Sequence, residues 1–156
     1  MRPHIDRLAA QGDSSKFKFS KPHIPGLDYS FSGLKTSFLY TLRDNLKTDP
    51  DFVEANKADL AASLQRTIIE ILLDKLKKAV KLTGVSTVAI GGGVSANSGV
   101  REAVAEFCRK NSLKAFIPER AFTTDNAAMV AIAGYFKYLN NDFCALDQAP
   151  YARVTI

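Results

Sequence analysis

Residues 86–118 read STVAIGGGVSANSGVREAVAEFCRKNSLKAFIP, and the order of patterns in that stretch decides the fold class. Ser86 to Ile90 is a short run with β-branched and apolar side chains, the composition of a buried strand. It runs directly into Gly91-Gly92-Gly93. From about Ala96 to Lys110, Val100, Ala103, Val104 and Phe107 recur at helical spacing and form one inward face. Lys114 to Pro118 reads as a second strand. Residues 125–138 follow as an Ala-rich helix, apolar nearly all round, which predicts a buried element. Strand, helix, strand, helix is the order of a parallel sheet with covering helices. The class is therefore α/β, helix-rich with a small mixed sheet.

Upstream lies the strongest periodicity in the chain. Leu60, Leu64, Ile68, Leu72 and Leu76 recur every fourth residue, with Ile71 and Ala79 beside them, and Gly84 ends the helix they predict. Asp49-Pro50-Asp51 separates it from a shorter helix over 33–45, carried by Leu34, Phe38 and Leu42 with Ser32 as the expected N-cap. Residues 17–20 and 29–32 alternate apolar and polar, as half-buried strands do. The Pro- and Gly-containing run 21–26 between them reads as loop. A short helix is expected over 3–11, and a final strand over 152–156.

A length of 156 residues favours one domain with a real core. Hydrophobic content of 46% and charged content of 24% exclude an extensively disordered chain. No apolar stretch approaches the ~20 residues that span a bilayer, and the first residues carry no secretory h-region. Cys108 and Cys144 are far apart, without CxxC spacing, and read as reduced thiols of a cytoplasmic protein. Net charge is +5, which permits a nucleic-acid partner without establishing one. The densest basic cluster, Lys75, Lys77, Lys78 and Lys81, reads as a solvated helix face or an RNA footprint.

Three places could carry chemistry. Three consecutive glycines at a strand end let a ligand approach the backbone, and the following helix N-terminus, with Ser95 as expected cap, suits an anion. A nucleotide or acyl phosphate fits; a tight structural turn is the alternative. The pattern is neither GxGxxG nor a Walker A loop. Asn97 can pair with an adenine edge or a sugar hydroxyl, or cap the helix. Asp125, after the second strand, can ligate a metal or complement a helix dipole. Lys35 can meet a phosphate or serve as a surface lysine. His4 and His23 read as surface residues, and no HExxH or GxSxG is present.

YSFSGLKTSF at 29–38, AIGGGVSANSGVR at 89–101 and IPERAFTTDNAAMVAIAGY at 117–135 together resemble the tRNA N6-adenosine threonylcarbamoyltransferases, long labelled O-sialoglycoprotein endopeptidases. The resemblance covers nearly the whole chain. It implies an actin-like, sugar-kinase-like fold built on ribonuclease-H-like lobes. It also implies that the 156 residues are a single fragment, roughly the C-terminal half of such a protein. The family's HxxxH metal pair, its first glycine-rich ligand loop and three lobe strands have no counterpart here.

By that resemblance Asp125 is a metal ligand, Asn97 contacts the nucleotide part of the substrate, and Gly92 and Gly93 are its backbone neighbours. No catalytic residue or general base is assigned. The implied cofactor is one divalent metal ion, iron or alternatively zinc, in a site incomplete in this chain. The implied partners are tRNA, threonylcarbamoyl-AMP or an ATP-like nucleotide, and the proteins of a tRNA-modification complex. The implied reaction moves an L-threonylcarbamoyl group from threonylcarbamoyl-AMP to N6 of the adenosine beside the anticodon. A fragment missing core strands is expected to be inactive alone and to self-associate. A non-catalytic actin-like partner subunit and a metallopeptidase are the alternative readings. Retention of both Asn97 and Asp125 favours the enzyme.

Overall fold

The computed structural model describes residues 4–149, and its longest element follows from the clearest periodicity. Helix α3 spans Phe52–Thr83, and Gly84 closes it in a left-handed conformation, φ 66°, with its N–H donating to the Val80 carbonyl at 2.9 Å. Two cores divide its apolar residues. Leu60 and Ile71 are buried with Phe19, Leu34 and Phe52, and Leu64 and Ile68 pack against them. Ile69, Leu72, Leu73, Leu76 and Val80 pack against a second cluster of Val88, Val100, Val104, Phe107 and Cys108. The single stripe of every fourth residue thus serves both cores, Leu60, Leu64 and Ile68 the first and Leu72 and Leu76 the second. Each fully buried Leu or Ile contributes roughly 1.5–3 kcal/mol of transfer free energy.

Helices α1 (His4–Ala9) and α2 (Leu34–Leu46) both pack on α3. Ser32 does not cap α2. Gly33 takes that position at φ 80°, a left-handed backbone that a serine adopts only with strain, and no side chain caps the helix.

The expected strands at 17–20 and 29–32 do not form. The first alternates in burial as anticipated, but its backbone bonds to side chains of helices. Phe17 N–H donates to Ser63 Oγ at 3.2 Å and Ser20 N–H to Ser37 Oγ at 3.2 Å. With the backbone satisfied by hydroxyls, no partner strand is needed. Lys75 also departs from the reading of a solvated helix face. It is 5% exposed, and its Nζ donates to the carbonyls of Ile24 and Gly26 at 2.7 and 2.9 Å, fastening the 21–26 loop to α3.

The βαβ unit forms as read. Strand β1 (Thr87–Ala89), helix α4 (Ser98–Lys110) and strand β2 (Lys114–Phe116) follow in order. The two strands pair in parallel, Val88 opposite Ala115. The described sheet is therefore parallel, not mixed. Val88 faces the core, while Thr87, Ala89 and Phe116 on the other face are exposed. The chain divides into two compact units, the first ending at Thr123 and the second beginning at Thr124.

The second unit holds α5 (Ala127–Leu139), and here the expected burial is not found: none of its residues is buried. Val130 is 75% exposed, and Ile132, Tyr135 and Phe136 are exposed beside it. An apolar helix needs an apolar surface to cover it, and the described part of this unit supplies only the short segment after the helix, where Tyr138 meets Phe143 edge-on. The strand expected at 152–156 lies outside the described residues.

Candidate ligand site at the glycine loop

Strand β1 ends in the glycine run because the chain must reverse toward α4. Gly92 has φ 77° and ψ 174°, a conformation closed to side-chain-bearing residues, so the turn itself demands glycine there. Residues Gly93–Ala96 then form one 3-10 turn. Ser95, buried, donates its Oγ and its N–H to the Gly92 carbonyl at 2.7 and 3.0 Å. That bond locks the turn, so Ser95 is a loop fastener and not the helix cap read from the sequence.

Gly91 and Gly93 are a different matter. Neither has a positive φ. A Cβ built at either position, or at Gly92, meets nothing within 4 Å. Folding of the described residues therefore asks for one glycine in this run and not three. Within the described first unit the space in front of the other two is open, as a surface that receives a ligand against bare backbone requires.

Asn97 caps α4. Its Oδ1 accepts from Val100 N–H at 3.0 Å, and its Nδ2 donates to Gln65 Oε1 on α3 at 2.6 Å. The anion expected at this helix N-terminus is supplied by the protein. Asp6 of α1 is 2% exposed, and both its carboxylate oxygens accept from Ser98 N–H at 3.1 Å. A buried carboxylate at the positive end of a helix is favourable, and a ligand anion would have to compete with it. Among the described residues, the open surface is thus the loop backbone beside Asn97, while the Ser98 N–H of the helix terminus is already taken.

Two arginines hold the loop from outside. Arg101 donates to the Ser95 carbonyl at 3.0 Å and to the Pro118 carbonyl at 2.7 Å, tying the glycine loop to the segment after β2. Arg120 donates to the Ala96 carbonyl at 2.8 Å and to Ser98 Oγ at 2.9 Å. Asp6, Gln65, Arg101 and Arg120 were assigned no role from sequence. Arg101 lies inside the quoted glycine-loop stretch, a signal that could have found it.

Gly92, Gly93 and Asn97 are brought together in the first unit, within one turn. Asp125 belongs to the second unit and is exposed. It is not the cap of α5. Asn126 is, with Oδ1 accepting from Met129 N–H at 3.1 Å and Nδ2 donating to the Thr124 carbonyl at 2.8 Å. No hydrogen bond or ion pair among the described residues engages the Asp125 carboxylate, so it is available as a single hard oxygen donor. The described residues contain no cluster of three or more His, Cys, Asp or Glu able to hold a metal ion. One carboxylate does not make a metal centre. Lys35, on the first turn of α2, is exposed, as are His4 and His23. No helix of the described residues is long and apolar enough to cross a membrane.

The family profile described as tRNA N6-adenosine threonylcarbamoyltransferase matches residues 1–132. A tRNA N6-adenosine threonylcarbamoyltransferase of Phocaeicola vulgatus is 60% identical over 154 residues, covering 99% of this chain and 45% of its own length. The Porphyromonas gingivalis protein of the same name is 56% identical over the same shares of both chains. That of Thermosipho africanus is 46% identical over 138 residues, 87% of this chain and 40% of its own. The chain spans less than half the length of these relatives.

Proposed function

This chain belongs to the tRNA N6-adenosine threonylcarbamoyltransferase family, and on that premise we propose that it forms part of an enzyme that modifies tRNA. The reaction is transfer of an L-threonylcarbamoyl group from threonylcarbamoyl-AMP to N6 of the adenosine beside the anticodon. The carbamoyl carbon leaves the AMP phosphate oxygen and bonds to N6, and the N6 proton is released. The chain's contribution is the glycine loop with Asn97, which binds the nucleotide part of the substrate. The observation that supports this reading is the loop itself: among the described residues, two of its three glycines are required neither by backbone conformation nor by packing, and no neighbour lies within 4 Å of either Cβ position.

Asp125 is read as one ligand of a divalent metal whose other ligands lie outside the described residues. Bound there, such an ion would supply charge stabilisation as AMP departs. The chain is further read as the C-terminal half of an actin-like protein, with tRNA held by its net positive charge. As a half, it is expected to be inactive alone. The test is turnover by a full-length enzyme carrying this chain, with threonylcarbamoyl-AMP and unmodified tRNA. Asp125→Ala should lower kcat by at least a hundredfold while the melting temperature stays unchanged, because Asn126 provides the cap. A variant that keeps its rate overturns the assignment of Asp125. Turnover by the 156-residue chain alone overturns the reading of it as half an enzyme.

A further inference from the structure

The geometry points to Gln65 as the residue that positions Asn97 for the nucleotide, an inference that rests on the proposed ligand role of Asn97. Gln65 sits in the middle of α3, 32 residues before Asn97, and its Oε1 accepts from Asn97 Nδ2 at 2.6 Å. The other end of the Asn97 amide is also anchored, with Oδ1 accepting from Val100 N–H at 3.0 Å. Capping needs only the second bond, and Asp, Ser or Thr would make it as well. The bond to Gln65 is what an amide adds.

These two bonds fix the amide against rotation. A half-turn would set Oδ1 against Gln65 Oε1 and the amide NH2 against Val100 N–H, two like-with-like contacts. One Nδ2 hydrogen and one Oδ1 lone pair remain, in a set order. The free donor stands on the Gln65 side, so the ligand group met there must be an acceptor, such as a ribose oxygen or an adenine ring nitrogen.

Local packing shows that the approach of Gln65 is built in. A Cβ on Gly99 would lie 2.8 Å from Gln65 Nε2, 2.9 Å from Ile69 Cδ1 and 3.4 Å from Asn97 Oδ1. Glycine at 99 therefore leaves room for Gln65 to reach the cap. Asp6 holds the adjacent Ser98 N–H, which ties the start of α4 to α1, itself packed on α3. Gln65 touches no reacting atom in this account; it is a positioning residue.

The experiment titrates AMP into the 156-residue chain by calorimetry, with Asn97→Ser, Gln65→Leu, Gln65→Glu and the Asn97→Ser/Gln65→Leu pair. The Asn97 side-chain amide resonances are followed by NMR. Asn97→Ser keeps the cap and removes the donor, and should weaken AMP about tenfold. Gln65→Leu should weaken it about fivefold, the scale of one lost hydrogen bond, and shift the Asn97 amide signals. Gln65→Glu keeps the acceptor and should bind within about threefold of the parent chain. In the pair, the loss should equal that of Asn97→Ser alone. If Gln65→Leu does not fold, Gly99→Ala, which displaces the Gln65 amide, should show the same loss. No AMP binding by the parent chain, or unchanged binding by Asn97→Ser, overturns the underlying ligand reading. A loss in Asn97→Ser with none in Gln65→Leu, no rescue by Gln65→Glu, or fully additive losses in the pair overturns the role of Gln65 alone.

Discussion

Asp6 and Ser98 are 92 positions apart in sequence, yet the buried carboxylate of one receives the backbone N–H of the other. Removing the acceptor leaves that part-buried N–H without its partner, at a cost of about 1 kcal/mol. Asp6→Ala should therefore lower the urea midpoint, whereas Asp28→Ala, at an exposed loop position, should leave it unchanged. Equal midpoints for the two variants would show that the contact contributes nothing to stability. No local pattern could have revealed this pair, since nothing near Asp6 encodes its partner. The caps were misread for a related reason. Ser32 and Ser95 have the right chemistry for capping, but the helices start one residue after Gly33 and one after Asn97. Backbone conformation, invisible in composition, chose the position.

At the scale of elements, the βαβ unit and α3 were legible because their periodicities follow directly from burial. The supposed strands at 17–20 and 29–32 were not: the first bonds to helix side chains, Ser63 and Ser37, and the second closes on itself, Ser32 N–H donating to Ser30 Oγ and Leu34 N–H to the Phe31 carbonyl. The segment before Phe17 shows how that tie is made. Asp59 on α3 accepts from Lys16 Nζ at 2.7 Å and from Asp13 N–H at 2.8 Å. The Lys16 hydrogen bond first, and the Asp13 N–H second, hold the Asp59 carboxyl below its ordinary 3.8. A carboxyl depressed in the folded state stabilises the fold above its unfolded value and loses that contribution as pH falls through the folded one. Stability tied to Asp59 should thus be complete at pH 6 and fade below about pH 4. Urea midpoints at pH 6 and pH 3 check this: Asp59→Asn should narrow the difference between them, and an unchanged difference would remove Asp59 from the acid response.

At the scale of the molecule, the chain covers 45% of the length of the Phocaeicola vulgatus relative. Helix α5 presents Val130, Ile132, Tyr135 and Phe136 exposed, whereas monomers rarely show broad apolar patches. The chain on its own should self-associate. Light scattering across a dilution series should show mass rising with concentration, and Val130→Asp should suppress the rise. A constant mass equal to one chain would show that α5 needs no cover. If the glycine loop receives the nucleotide against bare backbone, Gly93→Ala should block it. Residue 93 has neither a positive φ nor a neighbour within 4 Å of its Cβ position, so the variant should melt within about 2 °C of the parent. Its added methyl occupies the space read as the ligand's. Measured by calorimetry on the 156-residue chain, AMP affinity should fall at least tenfold with the melting temperature unchanged; an affinity equal to the parent's would mean that the loop does not receive the nucleotide.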